Sequence, residues 1–536
     1  MMVVPFVQPV HLQPIASFYS EMAAAVFGLL AAGVLFSRAQ AWSALALPRV
    51  ALVPAILLIA IGAQWLAGRI AFPEVALLDA LFLLWAALLA CVGAVLARDV
   101  GLAPLVTTMA WAVVIGGLAS AAIAVIQFLH WPIPRWLVFA DTIPATNLGQ
   151  RNHAGDYLWL ALASVIALRL RATVSARAAA VMLSALVVAA ALTGSRGPIV
   201  YGTLLTGLGA WWRWRDKMPA ARTVMTLAMV TTLGFLAASA LLTLAGRFGL
   251  TTTGSWAVDR LAYATLAGDP RLAIWHDAWR IFLGSPWLGC GVGNYPWRSF
   301  EIASQAPPGH LALPAEHAHN LILQWLAEYG LVATLAAVAV LAWWLRDALK
   351  ARMDAERWWL LAMLAIIGGH SLLEYPLWYG YFLSPFALLL GAGDTRTAPL
   401  TMTHGRSIYV LASILAVLAM ANLWRDERRI ENSVYQSSAR SMAGLVDVAR
   451  ASLLAPLARH GVALAMIPQA SLAVDQAKLC DAALRFRPRP DLLGKCAVME
   501  KLSGDRRKAQ ALLSEGYRAY PGQHDDIEAA MPPDAQ

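Results

Sequence analysis

The sequence predicts an all-α polytopic membrane protein: about twelve spans, one large loop, and a soluble helical domain at the C-terminus. Three observations carry that reading. Hydrophobic residues make up 59% of the 536-residue chain and charged residues only 14%, against about 25% charged in soluble domains. Apolar runs of about 17–25 residues, the length of a helix crossing a hydrocarbon core, recur along the chain. These runs are apolar all round, and no alternation of the membrane-barrel kind appears.

Taken in order, the spans are expected at 21–37, 50–67, 76–97, 103–128, 154–170, 177–193, 198–212, 223–246, 320–345, 357–373, 380–394 and 407–424. The formal charge is +9, and its placement sets the orientation, because cytoplasmic loops collect Lys and Arg. Arg169, Arg171 and Arg177 form one cluster, Arg213, Arg215, Lys217 and Arg222 a second, and Arg346, Lys350, Arg352 and Arg357 a third. One parity of the count puts all three on the cytoplasmic side, together with Arg38, Arg49 and Arg98. The opposite face then receives loop 129–153, a short TGSRGP turn, the long loop 247–319, the Glu374–Tyr379 turn and both termini. The tail opens on WRDERR, which opposes export, yet long domains cross largely regardless of charge. The expected division is helices at 1–246, the loop at 247–319, helices at 320–424 and the soluble domain at 431–536.

In that last domain LRFRP (Leu484–Pro488) and YRAYP (Tyr517–Pro521) recur at about 33–34 residues, the period of a tetratricopeptide-like hairpin. An irregular helical domain is the other reading of two copies. Cys91 falls in a span and Cys290 in a loop, while Cys480 and Cys496 either pair in an oxidising compartment or remain thiols. The N-terminus has no basic region or A-x-A-like site, and Glu21 interrupts it, so no cleavable signal peptide is expected.

The unusual polar residues gather on the non-cytoplasmic face. TNLGQRNHAGDYL (Thr146–Leu158) sets Asn147, Gln150, Arg151, Asn152, His153 and Asp156 just ahead of an apolar span. Asn152 can cap that helix, which leaves the others unexplained. In ALTGSRGPIVY (Ala191–Tyr201), Gly194 and Gly197 permit a sharp reversal and Pro198 suits a first helical turn. Arg196 has no basic neighbours in sequence there: it is either a snorkelling anchor or a fork for phosphate oxygens.

DPRLAIWHDAWRIFLGSPWLGCGVGNY (Asp269–Tyr295) reads as an amphipathic helix and then a Gly-rich turn. Trp275 and Trp279 share one face, as do Arg271 and Ile274. Arg271 and Arg280 are either solvated or aimed at a lipid head-group or pyrophosphate. GCGVGN lacks the strand and βαβ unit of a dinucleotide site, so a turn with close backbone approach is expected. In AEHAHNLILQWLAEYG (Ala315–Gly330), His317 and His319 are two apart and cannot share a helix face. No metal-ligand spacing accompanies them. A helix starting near His319 puts that imidazole at the positive end of a dipole, where anions collect and the neutral, proton-accepting form is favoured. Such an imidazole takes a proton from a hydroxyl near neutral pH. The plain alternative, a solvated loop histidine, fits His317 better. In LEYPLWYGYF (Leu373–Phe382), Tyr375, Tyr379 and Tyr381 form an aromatic rim suited to a membrane interface. Glu374 needs a partner such as an arginine.

At these residues the sequence resembles the O-antigen ligase and polymerase superfamily of bacterial inner membranes, and within it the general protein O-oligosaccharyltransferases that glycosylate pilins. TGSRGP and HAHN carry the superfamily likeness. HLQPIASFYSE (His11–Glu21) and EYPLWYGYF carry the protein-glycosylating one. The resemblance implies a GT-C-like membrane fold and a metal- and cofactor-independent glycosyltransferase. Its donor is an oligosaccharide on undecaprenyl pyrophosphate and its acceptor a Ser or Thr hydroxyl of an exported protein such as a pilin. The site it implies is periplasmic; no nucleic acid is involved. Carried onto this chain, His319 resembles the essential histidine before asparagine (Asn320), and Arg196 and Arg271 resemble arginines that hold the pyrophosphate. Gln150 and either Tyr379 or Tyr381 resemble polar residues of the protein-glycosylating branch. Arg151, Asn152, His153, Asn320, Glu374 and Tyr375 join them as candidate substrate contacts, although Arg151 departs from the family pattern. The arrangement expected is an imidazole and two guanidinium groups converging on one lipid-borne diphosphate.

Three other readings use the same features. An O-antigen ligase would take the hydroxyl of lipid A–core as acceptor, and an O-antigen polymerase that of another glycan. A transporter or flippase for lipid-linked sugar is the non-enzyme reading. It places polar residues at the bilayer midplane within inverted repeats, whereas here they gather toward one face without an evident repeat.

Overall fold

The computed structural model describes residues 1–37, 42–43, 45–139, 143–251, 256–267, 269–306, 314–436 and 438–531. Arg38 of the basic set, and 252–255, 268 and 307–313 of the long loop, lie outside the described residues. A helix lies at each of the twelve segments expected from hydropathy. Among the described residues seven helices are long and apolar enough to cross a membrane: Phe18–Phe36, Arg49–Leu66, Pro73–Asp99, Leu102–Phe128, Pro219–Arg247, Leu321–Lys350 and Gly405–Tyr435. Ala176–Leu192 and Gly380–Gly393 are apolar but shorter. Arg151–Leu170, Gly197–Asp216 and Ala355–Ser371 are more polar, with Arg, His, Asp or Glu in their sequences. The one departure from an all-helical chain among the described residues is a short antiparallel ladder, Leu45–Pro48 against Thr397–Leu400.

The chain divides into two compact units. The first comprises Met1–Leu52, Trp85–Gly268 and Val340–Ser413. Its centre is Arg151–Leu170, in which every side chain from His153 to Leu168 is buried. Leu102–Phe128, Ala176–Leu192, Gly197–Asp216, Pro219–Arg247 and Ala355–Ser371 pack around it. A helix enclosed by helices meets partners rather than lipid, so it can carry polar residues that a lipid-facing span cannot. Close packing elsewhere relies on small residues: a Cβ on Gly391 would stand 1.9 Å from the Ala90 carbonyl oxygen. Arg49, buried, donates to Asp347 (2.6 Å) and Asp394 (2.8 Å). A charge taken out of water needs such pairing.

The second unit comprises Val53–Leu84, Asp269–Ala339 and Ile414–Gln536. Its last apolar helix runs unbroken through WRDERR to Tyr435, with Glu427 and Glu431 buried, so the helix continues past 424, where the span was expected to end. Successive helices Ala439–Arg450, Ala455–Ala465, Ala473–Phe486, Pro490–Ser503, Arg506–Ala519 and His524–Ala529 follow. Leu484, Leu492, Leu493 and Leu512 form their core together with Phe300 and Ala303 of the helix Tyr295–Ser304. Of the two states open to Cys480 and Cys496, the structure has the disulfide, with Cα atoms 5.5 Å apart.

The helix Leu321–Lys350 breaks at Gly330 (φ 78°, ψ −179°). Leu331 N donates to Pro286 O (2.8 Å), and Cys290 N and Gly291 N donate to the carbonyls of Ala327 (2.8 Å) and Glu328 (3.2 Å). The Gly-rich turn thus takes up the backbone groups that the kink releases. Gly289 (φ 72°) must be glycine for this, because a Cβ there would lie 2.1 Å from the Glu328 carbonyl oxygen. This is the close backbone approach expected of GCGVGN.

Candidate active site

In the first unit, the residues singled out before Arg151–Leu170 form a connected polar set. Gln150, not Asn152, caps the helix: its Oε1 accepts from His153 N at 2.6 Å. Asn152 is instead a bridge. Its Nδ2 donates to Glu374 Oε1 (2.9 Å), and its Oδ1 accepts from Ser195 Oγ (2.9 Å), inside the TGSRGP turn. One turn further along Arg151–Leu170 lies a second rung, Asp156 Oδ2 and His370 Nδ1 2.6 Å apart, both buried. Asn152 and Asp156 are i,i+4 on that helix, and Glu374, just past the end of Ala355–Ser371, is held over His370 by its N, which donates to His370 O (2.8 Å). His153 Nδ1 meets the Tyr381 hydroxyl at 3.0 Å. Tyr379 lies against the same imidazole (ring centroids 4.8 Å) and beside Tyr375 (5.9 Å). Tyr381 is buried and Tyr379 half-buried, with burial raising the Tyr379 hydroxyl above the usual phenol range. Of the two tyrosines that spacing left open, Tyr379 is the one more accessible to a ligand.

The N-terminal stretch completes this set. His11 Nε2 contacts Asn147 O (2.6 Å), and Glu21 Oε2 accepts from Gly380 N (2.6 Å) at the head of the GYF segment. Thr146 holds a left-handed backbone (φ 58°), uncommon without glycine. Arg196 is half-buried at the N-terminus of Gly197–Asp216. It has no basic neighbour in sequence, but the fold brings one to its turn: Arg260 Nη1 donates to Gly194 O at 2.9 Å. Arg151 is half-buried at the first position of the central helix.

The second unit carries Arg271, His319 and Asn320. Arg271 is in the first turn of Pro270–Gly284, whose N-cap Asp269 accepts from Arg271 N (3.1 Å). A carboxylate oxygen of Asp269 also lies 3.6 Å from the Arg271 guanidinium. Leu272 (61% exposed), Trp279 (43%) and Leu283 (57%) face outward from that helix, while Ala278 and Ile281 pack with Ala318 between the two histidines. HAHN is thus seated on the helix that bears Arg271. The helix after it starts at Leu321, capped by Asn320, whose Oδ1 accepts from Ile322 N and Leu323 N, each at 3.1 Å. Ala318 N donates to Gln324 Oε1 (2.7 Å). His319 therefore stands just before the cap, half-buried and in a left-handed backbone (φ 51°). A non-glycine residue held there is strained by about 1–3 kcal/mol, a condition common at functional sites. Glu316 is tied to Arg487 of the C-terminal helices (2.7 Å). Burial, with His319 and Arg487 nearby, pushes His317 down to about 3, so it stays neutral at physiological pH.

Sequence reasoning missed Ser195, His370 and Arg260. The i,i+4 repeats Asn152/Asp156 and His370/Glu374 would have pointed to His370; nothing local announces Ser195 or Arg260. Among the described residues no three His, Cys, Asp or Glu side chains gather as a metal ion would require.

Comparison with known proteins gives three findings. Residues 178–338 match the family described as O-Antigen ligase. Residues 358–533 match that described as Virulence factor membrane-bound polymerase, C-terminal. A general O-oligosaccharyltransferase of Acinetobacter baylyi is 27% identical over 439 residues, covering 78% of this chain and 73% of that protein.

Proposed function

Because this chain belongs to the O-antigen ligase and O-oligosaccharyltransferase superfamily, we propose that it moves an oligosaccharide from undecaprenyl pyrophosphate to a Ser or Thr hydroxyl of an exported protein, such as a pilin, at the periplasmic face of the bacterial inner membrane. The observation that carries this reading is His319: a half-buried imidazole held in a left-handed backbone at the mouth of a capped helix, a group of the kind that takes a proton from a hydroxyl within hydrogen-bond reach. Likeness to a named general O-oligosaccharyltransferase over most of both chains supports the protein acceptor. The Cys480–Cys496 disulfide supports an oxidising compartment for the C-terminal helices, which we read as tetratricopeptide-like and suited to an acceptor polypeptide. Twelve crossings with both ends periplasmic fit that placement.

In this mechanism the acceptor hydroxyl attacks the anomeric carbon from the side opposite the diphosphate, inverting configuration. The new C–O bond forms as the bond to the diphosphate oxygen breaks. The hydroxyl proton passes to His319 and the bonding electron pair leaves with the lipid diphosphate. Arg196 and Arg271 act on that growing charge, since preorganised guanidinium groups are most effective where charge develops. Gln150, Arg151, Asn152, His153, Asn320, Glu374, Tyr375, Tyr379 and Tyr381 shape or line the substrate path.

The test incubates the purified chain with lipid-linked glycan and either a pilin-like peptide or lipid A–core. Transfer to the peptide is expected. Transfer to lipid A–core alone would make the chain an O-antigen ligase, the reading that its match over 178–338 favours. Transfer that survives both Arg196→Ala and Arg271→Ala would remove the diphosphate assignment.

A further inference from the structure

A cavity of about 830 Å³ in the second unit is lined by Arg69, Arg280, Arg298, Arg485, Glu301 and Trp297, with smaller residues between them. None of the residues assigned above to the reaction lines it. Four guanidinium groups face one carboxylate, and that carboxylate is committed: Glu301 accepts from Arg298 Nη1 (2.6 Å) and Trp297 Nε1 (2.8 Å). Arg485 pairs outside the lining with Asp481 (3.0 Å) and stacks 5.6 Å over Trp297. Among the described residues Arg69 donates only to uncharged acceptors, Ser285 Oγ and Gly289 O. Arg280 has neither an ion pair nor a hydrogen bond among the described residues and is exposed. Two uncompensated guanidinium groups, from the connection after Leu52–Leu66 and from Pro270–Gly284, thus share one concavity. A concavity lined by one sign of charge concentrates the opposite sign.

We propose that this cavity is a binding site for an acidic saccharide, a short oligosaccharide bearing carboxylate or phosphate groups. Guanidinium forks suit such groups bidentately, and the volume falls within the range of about 300–1,000 Å³ typical of small-ligand sites. An extended acidic peptide fits less well, because peptides in extended form are read through spare backbone groups. Here the carbonyls of Arg69, Gly289 and Cys290 already accept bonds, the first and last from Asn294 Nδ2 at 2.9 Å. That the saccharide is part of the glycan being transferred rests on the function proposed above; the charge of the cavity does not.

The test is calorimetric titration of the detergent-solubilised full chain with trigalacturonate, maltotriose and triglutamate. Trigalacturonate is expected to bind, more weakly as salt is raised, and maltotriose not to bind. Arg280→Gln is expected to weaken binding about tenfold, and Arg280→Lys to restore only part of it, since Lys lacks the fork. Arg280 is exposed, so the thermal midpoint should not move. Equal binding of maltotriose, an unchanged affinity in Arg280→Gln, or preference for triglutamate over the sugar acid would each overturn the assignment. Arg196→Ala, which probes transfer, is expected to leave the titration intact; loss of the titration in that variant would also overturn it.

Discussion

The two units hold the same kinds of polar residue in opposite conditions. Around Arg151–Leu170, His153, Asn152, Ser195, Glu374 and Tyr381 bond mainly to one another, and most are buried. In the second unit Arg271, Arg280 and His319 are half-buried or exposed, and Asn320 is occupied with a helix end. We read the first set as mainly structural and the second as placed to meet a ligand. A residue's type suggested chemistry at both places; its burial separates the two sets.

Substitutions at four positions sharpen that contrast. The largest effect is expected at His319. His319→Ala should lower transfer on the order of 30- to 1000-fold, about 2–4 kcal/mol of barrier, with little change in thermal midpoint. His319→Asn tolerates the left-handed backbone and so separates the imidazole from the conformation: activity retained in Asn would deny His319 a proton-transfer role. Asn152→Ala should behave the other way round. It removes one hydrogen bond each from Glu374 and Ser195, costing about 1–3 kcal/mol, so the thermal midpoint should fall along with activity. A normal midpoint with lost transfer would make Asn152 a substrate ligand instead of a bridge.

Asn320→Ala removes a cap worth about 1 kcal/mol. Asn320→Asp should restore the midpoint if capping is its task, and fail to restore it if the amide itself contacts substrate. The last prediction, confined to acid pH, concerns His317, held near 3 in the fold against an ordinary 6.5. The unfolded chain binds its proton first, so stability is full above 6.5 and declines as pH falls from there toward 3. Thermal midpoints across that window should flatten in His317→Gln; an unchanged slope would show that other groups dominate.

Much of the fold was legible locally. Each expected apolar segment is a helix because length and apolarity suffice to specify one wherever the backbone must satisfy itself. The Gly-rich turn and the N-terminus of the amphipathic helix were likewise readable from Gly289, Gly291, Gly293, Asp269 and Pro270. Boundaries were less so: Gly405–Tyr435 outruns its apolar stretch because Glu427 and Glu431 are buried by tertiary packing.

The sequence by itself determined that this is a helical membrane chain with polar motifs gathered in a few connections, since hydropathy and spacing are properties of neighbours along the chain. Only the tertiary structure decided which polar residue partners which. Gln150 rather than Asn152 caps the central helix, Asn152 reaches Glu374 across 222 positions, and Arg260 comes to the TGSRGP turn from 66 positions away. Those pairings depend on how helices pack side by side, and packing is settled by the shape and burial of whole helix faces, which no local pattern encodes.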